Sequence, residues 1–152
     1  SYRLVGSEMC IRDSADTDAD TDADVDRSGT YTGDFSIEIL ETSLSAGDTC
    51  VGTATIEVDE KGDIVGLGEC EFSGLAATLF GLTDTYSGNL AGEITIDPVA
   101  AGMVSADVEL KKLYEDWAGE FKGETFNGGF NGTFSYDAYN FTFNGEFTTT
   151  RQ

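Results

Sequence analysis

The sequence predicts an all-β fold: an eight-stranded antiparallel up-and-down β-barrel, with a two-sheet β-sandwich as the alternative. Three observations predict it. Between Trp117 and Thr149, aromatic residues recur at every second position through three successive stretches. Earlier stretches show the same alternation and are joined by mostly short polar connections, which brings the count of strands to eight. Eight antiparallel neighbours, each with one apolar face, can close on themselves and abolish both edges.

Successive side chains of a strand point to opposite faces. From Trp117, one face carries Trp117, Gly119, Phe121, Gly123 and Thr125. Asn127-Gly128 is the strongest short hairpin signal, because both central positions of such a turn need positive φ. A turn there pairs Phe121 with Phe134 and Trp117 with Ala138. A second turn at Asp137-Ala138 pairs Tyr136 with Tyr139 and Phe134 with Phe141. The aromatic face then runs through Phe130, Gly132, Phe134 and Tyr136, and on through Phe141, Phe143, Gly145 and Phe147. Asn140, Thr142, Asn144, Glu146 and Thr148 fall on the other, wet face. Asn131-Gly132 and Asn144-Gly145 are rival turn sites, but a turn at either leaves stubs too short to pair. Glycines opposite aromatics give sharp bends or room for rings, as small barrels need.

Nearer the N-terminus, Thr30–Glu41 alternates Tyr31, Gly33, Phe35, Ile37 and Ile39 against polar residues, and a polar loop, ETSLSAGD, follows. Thr49–Asp59 and Asp63–Phe72 form a hairpin through Glu60-Lys61-Gly62, with glycine where a type I turn with a bulge wants it. Cys50, Ala54, Ile56 and Val58, then Ile64, Cys70 and Phe72, face inward. Cys50 and Cys70 are directly opposed or one diagonal apart, depending on the bulge, which is near enough for a disulfide. The alternative is a pair of buried thiols in a reducing compartment. Ser73–Asp84 breaks the alternation; Leu75, Leu79 and Leu82 have helical spacing and Ser73 is placed to cap, so one short helix or compact loop is expected there. Tyr86, Leu90, Ile94 and Ile96 resume the inward phase, Asp97-Pro98 starts a turn, and Val104, Ala106, Val108 and Leu110 form the next inward face before KKLYED leads to Trp117.

The 152 residues carry 29 acids against 8 bases, net charge −21, and no histidine. Such a chain is a poor partner for nucleic acid or an anionic membrane surface. Lack of histidine removes the commonest general base and metal ligand. No apolar run approaches a membrane-spanning length. The carboxylate pairs Glu57/Asp59, Glu69/Glu71 and Asp107/Glu109 face outward, which reads as solvated surface. Asn131-Gly132-Thr133 and Asn140-Phe141-Thr142 match the glycosylation acceptor pattern, which a bacterial origin would make irrelevant. No catalytic constellation, phosphate loop or metal cluster stands out, so the expectation is a non-enzyme without cofactor.

Residues 1–28 read as an acidic N-terminal segment without fixed structure, and 29–152 as the barrel domain. The segment holds 8 acids and 3 bases, which leaves the domain 21 acids and 5 bases, net −16; the fold itself is acidic. Within 1–14, VGSEMCIRDS resembles a translated sequencing-adapter read-through and is set aside. The residues before Cys10 do not suit a lipidation site. Residues 15–28, ADTDADTDADVDRS, repel one another and stay extended. Asp24, Asp26 and Ser28 match the first half of a calcium loop, but Phe35 stands at the twelfth position, where a calcium loop needs Glu, so a solvated spacer is the better reading. The tract resembles the Asp/Thr/Ala stalks of bacterial surface lipoproteins, which implies a signal peptide and lipid-bearing cysteine upstream.

The rhythm of Gly-x-Phe strands ending in F-x-T-x-R, over roughly residues 29–151, resembles the small lipocalin-like barrels of bacterial surface lipoproteins, including the barrel modules of transferrin-binding-type proteins. The resemblance implies an extracytoplasmic or secreted, monomeric binding domain, exposed at the cell surface and attached to the membrane only through an N-terminal lipid. Its partner is an unknown protein, or, as the alternative function, a small apolar ligand carried inside the barrel. Residues placed to line that interior are Phe35, Phe72, Trp117, Phe121, Phe130, Phe134, Phe141, Phe143 and Phe147, and the interior is expected to be mostly filled by them.

Overall fold

The computed structural model describes residues 25–152. The adapter-like string, Cys10, most of the expected stalk and Asp24 of the calcium motif lie outside the described residues. Eight strands follow one another: β1 (Gly29–Glu41), β2 (Ala46–Val58), β3 (Asp63–Phe72), β4 (Thr85–Ile96), β5 (Val99–Val108), β6 (Lys111–Lys122), β7 (Thr125–Tyr136) and β8 (Tyr139–Arg151). One short helix, α1 (Leu75–Phe80), joins β3 to β4. Each strand pairs antiparallel with its sequence neighbours, and β1 pairs with β8 from Tyr31↔Arg151 to Glu41↔Phe141, so the sheet is a closed barrel rather than a sandwich.

The period-two phase holds all round the ring, but several local expectations change. The β6–β7 turn is not at Asn127-Gly128. The chain turns at Gly123, which takes φ 59°, and pairs Phe121 with Phe126 and Trp117 with Phe130. Asn127 and Gly128 are strand residues opposite Glu120 and Gly119. The shift is even, so Phe130 and Phe134 keep their inward phase, while Phe126 moves from the outer face into the core, fully buried. The second turn, with Tyr136↔Tyr139 and Phe134↔Phe141, is as the sequence predicts.

The loop after β1 shrinks to residues 42–45, because β2 begins at Ala46. Leu110 does not face inward. With Glu109 it forms the β5–β6 turn at φ 46° and 78°, and its side chain is fully exposed. Ile96 points out as well, beyond a register shift after Ile94. Helix α1 buries Ala76, Phe80 and the following Leu82 rather than Leu75 and Leu79, which stay exposed. Its start is capped by Asp48, not Ser73. The Ala76 amide donates to Asp48 Oδ2 at 2.8 Å, and the Ser73 hydroxyl donates to Oδ1 at 3.0 Å.

Cys50 pairs in register with Phe72, and Cys70 with Gly52, which sets the two cysteines on a diagonal with Cα atoms 5.3 Å apart and a disulfide between them. Both are buried. The bond staples β2 to β3 near the end of the barrel that carries α1. At the same end, Glu41 is 1% exposed, yet its carboxylate accepts four hydrogen bonds. The Ser43 hydroxyl and amide and the Leu44 amide donate to Oε1 at 2.7, 3.0 and 2.8 Å, and the Asn140 amide donates to Oε2 at 3.0 Å. One side chain thus ties the β1–β2 loop to the β7–β8 turn. The Ser43 hydroxyl, then the Asn140 amide, holds the carboxyl below its ordinary 4.5.

Two predictions follow from these ties. Unreduced digests should yield a peptide pair joined through Cys50 and Cys70, and Cys50→Ala/Cys70→Ala should lose about 3 kcal/mol in urea unfolding, the loop-closure value for a ring of this size; free thiols at both positions would refute the pairing. Because the folded Glu41 carboxyl titrates below its unfolded value, its contribution is complete above about pH 4.5 and fades as pH falls through the folded value. Glu41→Gln should therefore be less stable than the parent at neutral pH, with the gap narrowing on acidification. A gap independent of pH would show that the charge is not what the four donors hold.

Candidate functional site: the barrel interior

The interior is divided. At the end where β1 begins and β8 finishes, rings fill it. Phe121 stacks on Phe126 with centroids 4.1 Å apart, and Tyr31 meets both rings edge-on at 5.5 and 6.0 Å. Trp117 and Phe147 pack edge-on against Phe126 at 6.0 and 5.3 Å. The indole N–H of Trp117 donates to the Ala91 carbonyl at 3.0 Å. Two arginines lid this end. The Arg27 guanidinium lies 5.3 Å over Phe121 and makes a two-pronged contact with Asp97 at 2.8 and 3.2 Å, while Arg151 lies 5.7 Å over Tyr31. The Tyr31 hydroxyl donates back to the Arg27 carbonyl at 2.9 Å. No ligand-sized space is left here.

The other half is different. Between the mid-plane and the α1 end lies a cavity of about 80 Å³ lined almost wholly by carbon. Phe35, Phe72, Phe130, Phe134 and Phe143 form one side; Gly88, Val104, Ala106, Val108 and Leu113 form the other. The cause is uneven side-chain volume. Rings enter from β1, β3, β7 and β8, but on β4 and β5, past Tyr86 at the rim, the lining is Ser87, Gly88 and small aliphatics. Near the closed end Trp117 reaches across to Gly92, and no ring does the same over Gly88 and Ala106. The mouth is at the α1 end, where Tyr86, Ala106, Val108, Leu113 and Phe134 are half-buried. Helix α1 covers part of it, with Phe80 edge-on to Phe141 at 4.9 Å and to Tyr139 at 5.1 Å. Tyr86 donates its hydroxyl to Glu109 Oε2 at 2.5 Å, and the Thr83 amide donates to the same oxygen, which pins the α1–β4 connection to the β5–β6 turn. Burial and then this carboxylate push the Tyr86 hydroxyl up; Glu109 is held low because those two donors outweigh its burial.

Of the nine residues that the sequence places inside, the structure brings Phe35, Phe72, Phe130, Phe134 and Phe143 together around the cavity. Trp117, Phe121 and Phe147 belong to the ring-filled half, and Phe141 is buried under α1 between Phe80 and Phe134. Sequence reasoning missed Glu115, the one charged residue among the cavity's lining. Counting back by two from Trp117 reaches Glu115 and Leu113, so the signal was present in the same phase that located the aromatics. The outward carboxylates serve local ends: Glu57 accepts from the Thr30 hydroxyl at 2.9 Å, and Asp59 caps the β2–β3 turn through the Lys61 and Asp63 amides at 2.8 and 2.9 Å. Among the described residues no group of three or more Cys, Asp or Glu side chains gathers to hold a metal ion, and no helix is long and apolar enough to cross a membrane.

The two halves should respond differently to truncation. Phe126→Ala should cost about 3–5 kcal/mol in urea unfolding, the range for an aromatic removed from a packed core. Phe134→Ala, beside space that already exists, should cost at least about 1 kcal/mol less. Equal losses would mean that the α1 half is packed as tightly as its opposite.

No family model and no curated protein matches the chain. Among solved structures, one similar chain is a crystal structure of a tryptophan-to-alanine mutant of the vaccine antigen Transferrin Binding Protein B from Haemophilus parasuis Hp5. The two are 10% identical with a TM-score of 0.47, over 83% of this chain and 27% of that one. This chain therefore spans about a quarter of the length of that relative.

Proposed function

We propose that this chain is a non-enzymatic, extracytoplasmic binding domain, the exposed part of a bacterial surface lipoprotein, whose barrel holds a small apolar ligand at the α1 end. The observation that carries the reading is the cavity of about 80 Å³ between Phe72, Phe134 and Phe143 on one side and Ala106, Val108 and Leu113 on the other. Apolar space takes up apolar guests; a closed apolar cavity that holds benzene measures about 150 Å³. The smaller volume here suits bodies of a few carbons rather than sterols or haem-sized rings. Support for the compartment comes from the Cys50–Cys70 disulfide, since such bonds persist where the surroundings are oxidising. The acidic tract 15–28 suits a solvated spacer between an anchor and the domain.

Xenon, an uncharged probe with no head group, tests the cavity directly. Under xenon pressure the amide signals of Ala106, Val108 and Leu113 should shift while those of Tyr31 and Phe126 stay in place. The same guest should raise the melting temperature by mass action. Absence of any shift at the cavity residues would sink the proposal.

A further inference from the structure

Glu115 is out of place in this cavity, and its position points to the class of ligand. It sits on β6 between Leu113 and Trp117, opposite Val104 of β5, with its side chain among the lining residues. Among the described residues it has neither a hydrogen-bond donor nor an ion-pair partner. Lys112, three places back, pairs with Asp107 on the outer face at 3.3 Å. Arg27 and Arg151 are engaged at the closed end, over Phe121 and Tyr31. Lys111 is exposed at the start of β6. The half-buried carboxylate lies over Gly132 of β7, at the edge of the cavity, where any side chain would collide with it and with the Phe143 ring. A carboxylate with no protein donor keeps its acceptor capacity for a ligand that brings one, and charge-assisted hydrogen bonds are the strong ones.

The seam beside it is open. The β6–β7 ladder runs only from Trp117↔Phe130 to Lys122↔Thr125. Lys111–Asp116 and Asn131–Tyr136 face each other without ladder pairs, so the backbone edges next to Glu115 have acceptor capacity to spare. An ammonium group carries three donors and no acceptor, which matches one carboxylate plus neighbouring carbonyls. Phe130, Phe134 and Phe143 line the same space, and aromatic rings attract a cation that comes over their faces. An anionic head group meets the opposite: Glu115 itself and a domain of net charge −16.

Resting on the ligand-binding reading of this cavity, we propose that it selects small aliphatic primary amines, with the apolar body among Phe72, Phe134 and Phe143 and the ammonium on Glu115. Three probes with one carbon skeleton separate the head group from the body: isopentylamine, isopentanol and isovalerate. Titrations monitored by the amide signals of Leu113 and Val108 should rank them in that order, with the amine bound about tenfold or more tighter than the alcohol, the scale of a charge-assisted hydrogen bond. At about 1 M salt, where the Debye length is about 3 Å, general attraction to an acidic surface is removed and the preference should remain. In Glu115→Gln the amine should fall to the level of the alcohol, while the alcohol, which also reports that the variant is folded, changes less than about twofold. An amine no tighter than the alcohol, or a preference that survives Glu115→Gln, overturns the proposal. If none of the three binds but xenon still fills the cavity, the amine class is overturned and the apolar cavity stands; if xenon fails too, both fall.

Discussion

A barrel of eight strands has a fixed, narrow cross-section, and several of the rings that enter it lie over a glycine on a nearby strand, where no side chain stands. Most of what this structure does follows from that constraint. Phe130 lies over Gly145, and Phe147 over Gly128; a methyl group at either glycine would run into the ring. Trp117 extends over Gly92 in the same way. Where β4 and β5 present Gly88 and Ala106 with no ring to meet them, space remains. The division into a plugged half and a hollow half is thus set by the order of large and small residues along a few strands. No break in the sheet's phase is needed to produce it.

Charge plays a local part. With 29 acids against 8 bases, the chain cannot neutralise itself by pairing, and exposed pairs such as Lys112–Asp107 contribute little. The carboxylates that shape the fold work instead as acceptors for backbone amides. Glu41 gathers a loop and a turn, Asp48 caps α1, and Asp59 closes the β2–β3 hairpin. All three have their carboxyl groups held low by these donors; for Asp48 the donors act against the upward pull of its burial. An acidic sequence reads as surface, yet three of its acids are the knots of the connections.

The strands, their inward phase and the nearness of the two cysteines on one face were legible because each depends on alternation, which is local. The β6–β7 turn was not. Asn127-Gly128 is the better turn dipeptide, but in the strand Gly128 seats the Phe147 ring, and turning at Gly123 sends Phe126 inward against Phe121, Tyr31 and Trp117. Burial of such a side chain is worth about 1.5–3 kcal/mol, and it decides the register. Helix α1 misled in a similar way: Leu75 and Leu79 have the right spacing, but the face that docks is the one carrying Phe80, because Phe141 and Tyr139 offer a ring-lined seat. The cavity was the least legible feature. Its residues could be named, but whether they touch depends on strand-to-strand register and on the volumes of residues far apart in sequence. Glu115 was within reach of the alternation rule and was hidden by the polar run KKLYED around it.

The path of the chain also fixes a direction. β1 and β8 lie side by side, and the Gln152 amide donates to the Thr30 carbonyl at 2.8 Å, so both ends of the domain emerge together beside the arginine-lidded end. The mouth of the cavity is at the opposite pole, under α1. If the chain is anchored at its N-terminal side, as proposed, the sealed base would face the anchor and the mouth would face away from it, so that a guest could arrive and leave without passing between the barrel and its support.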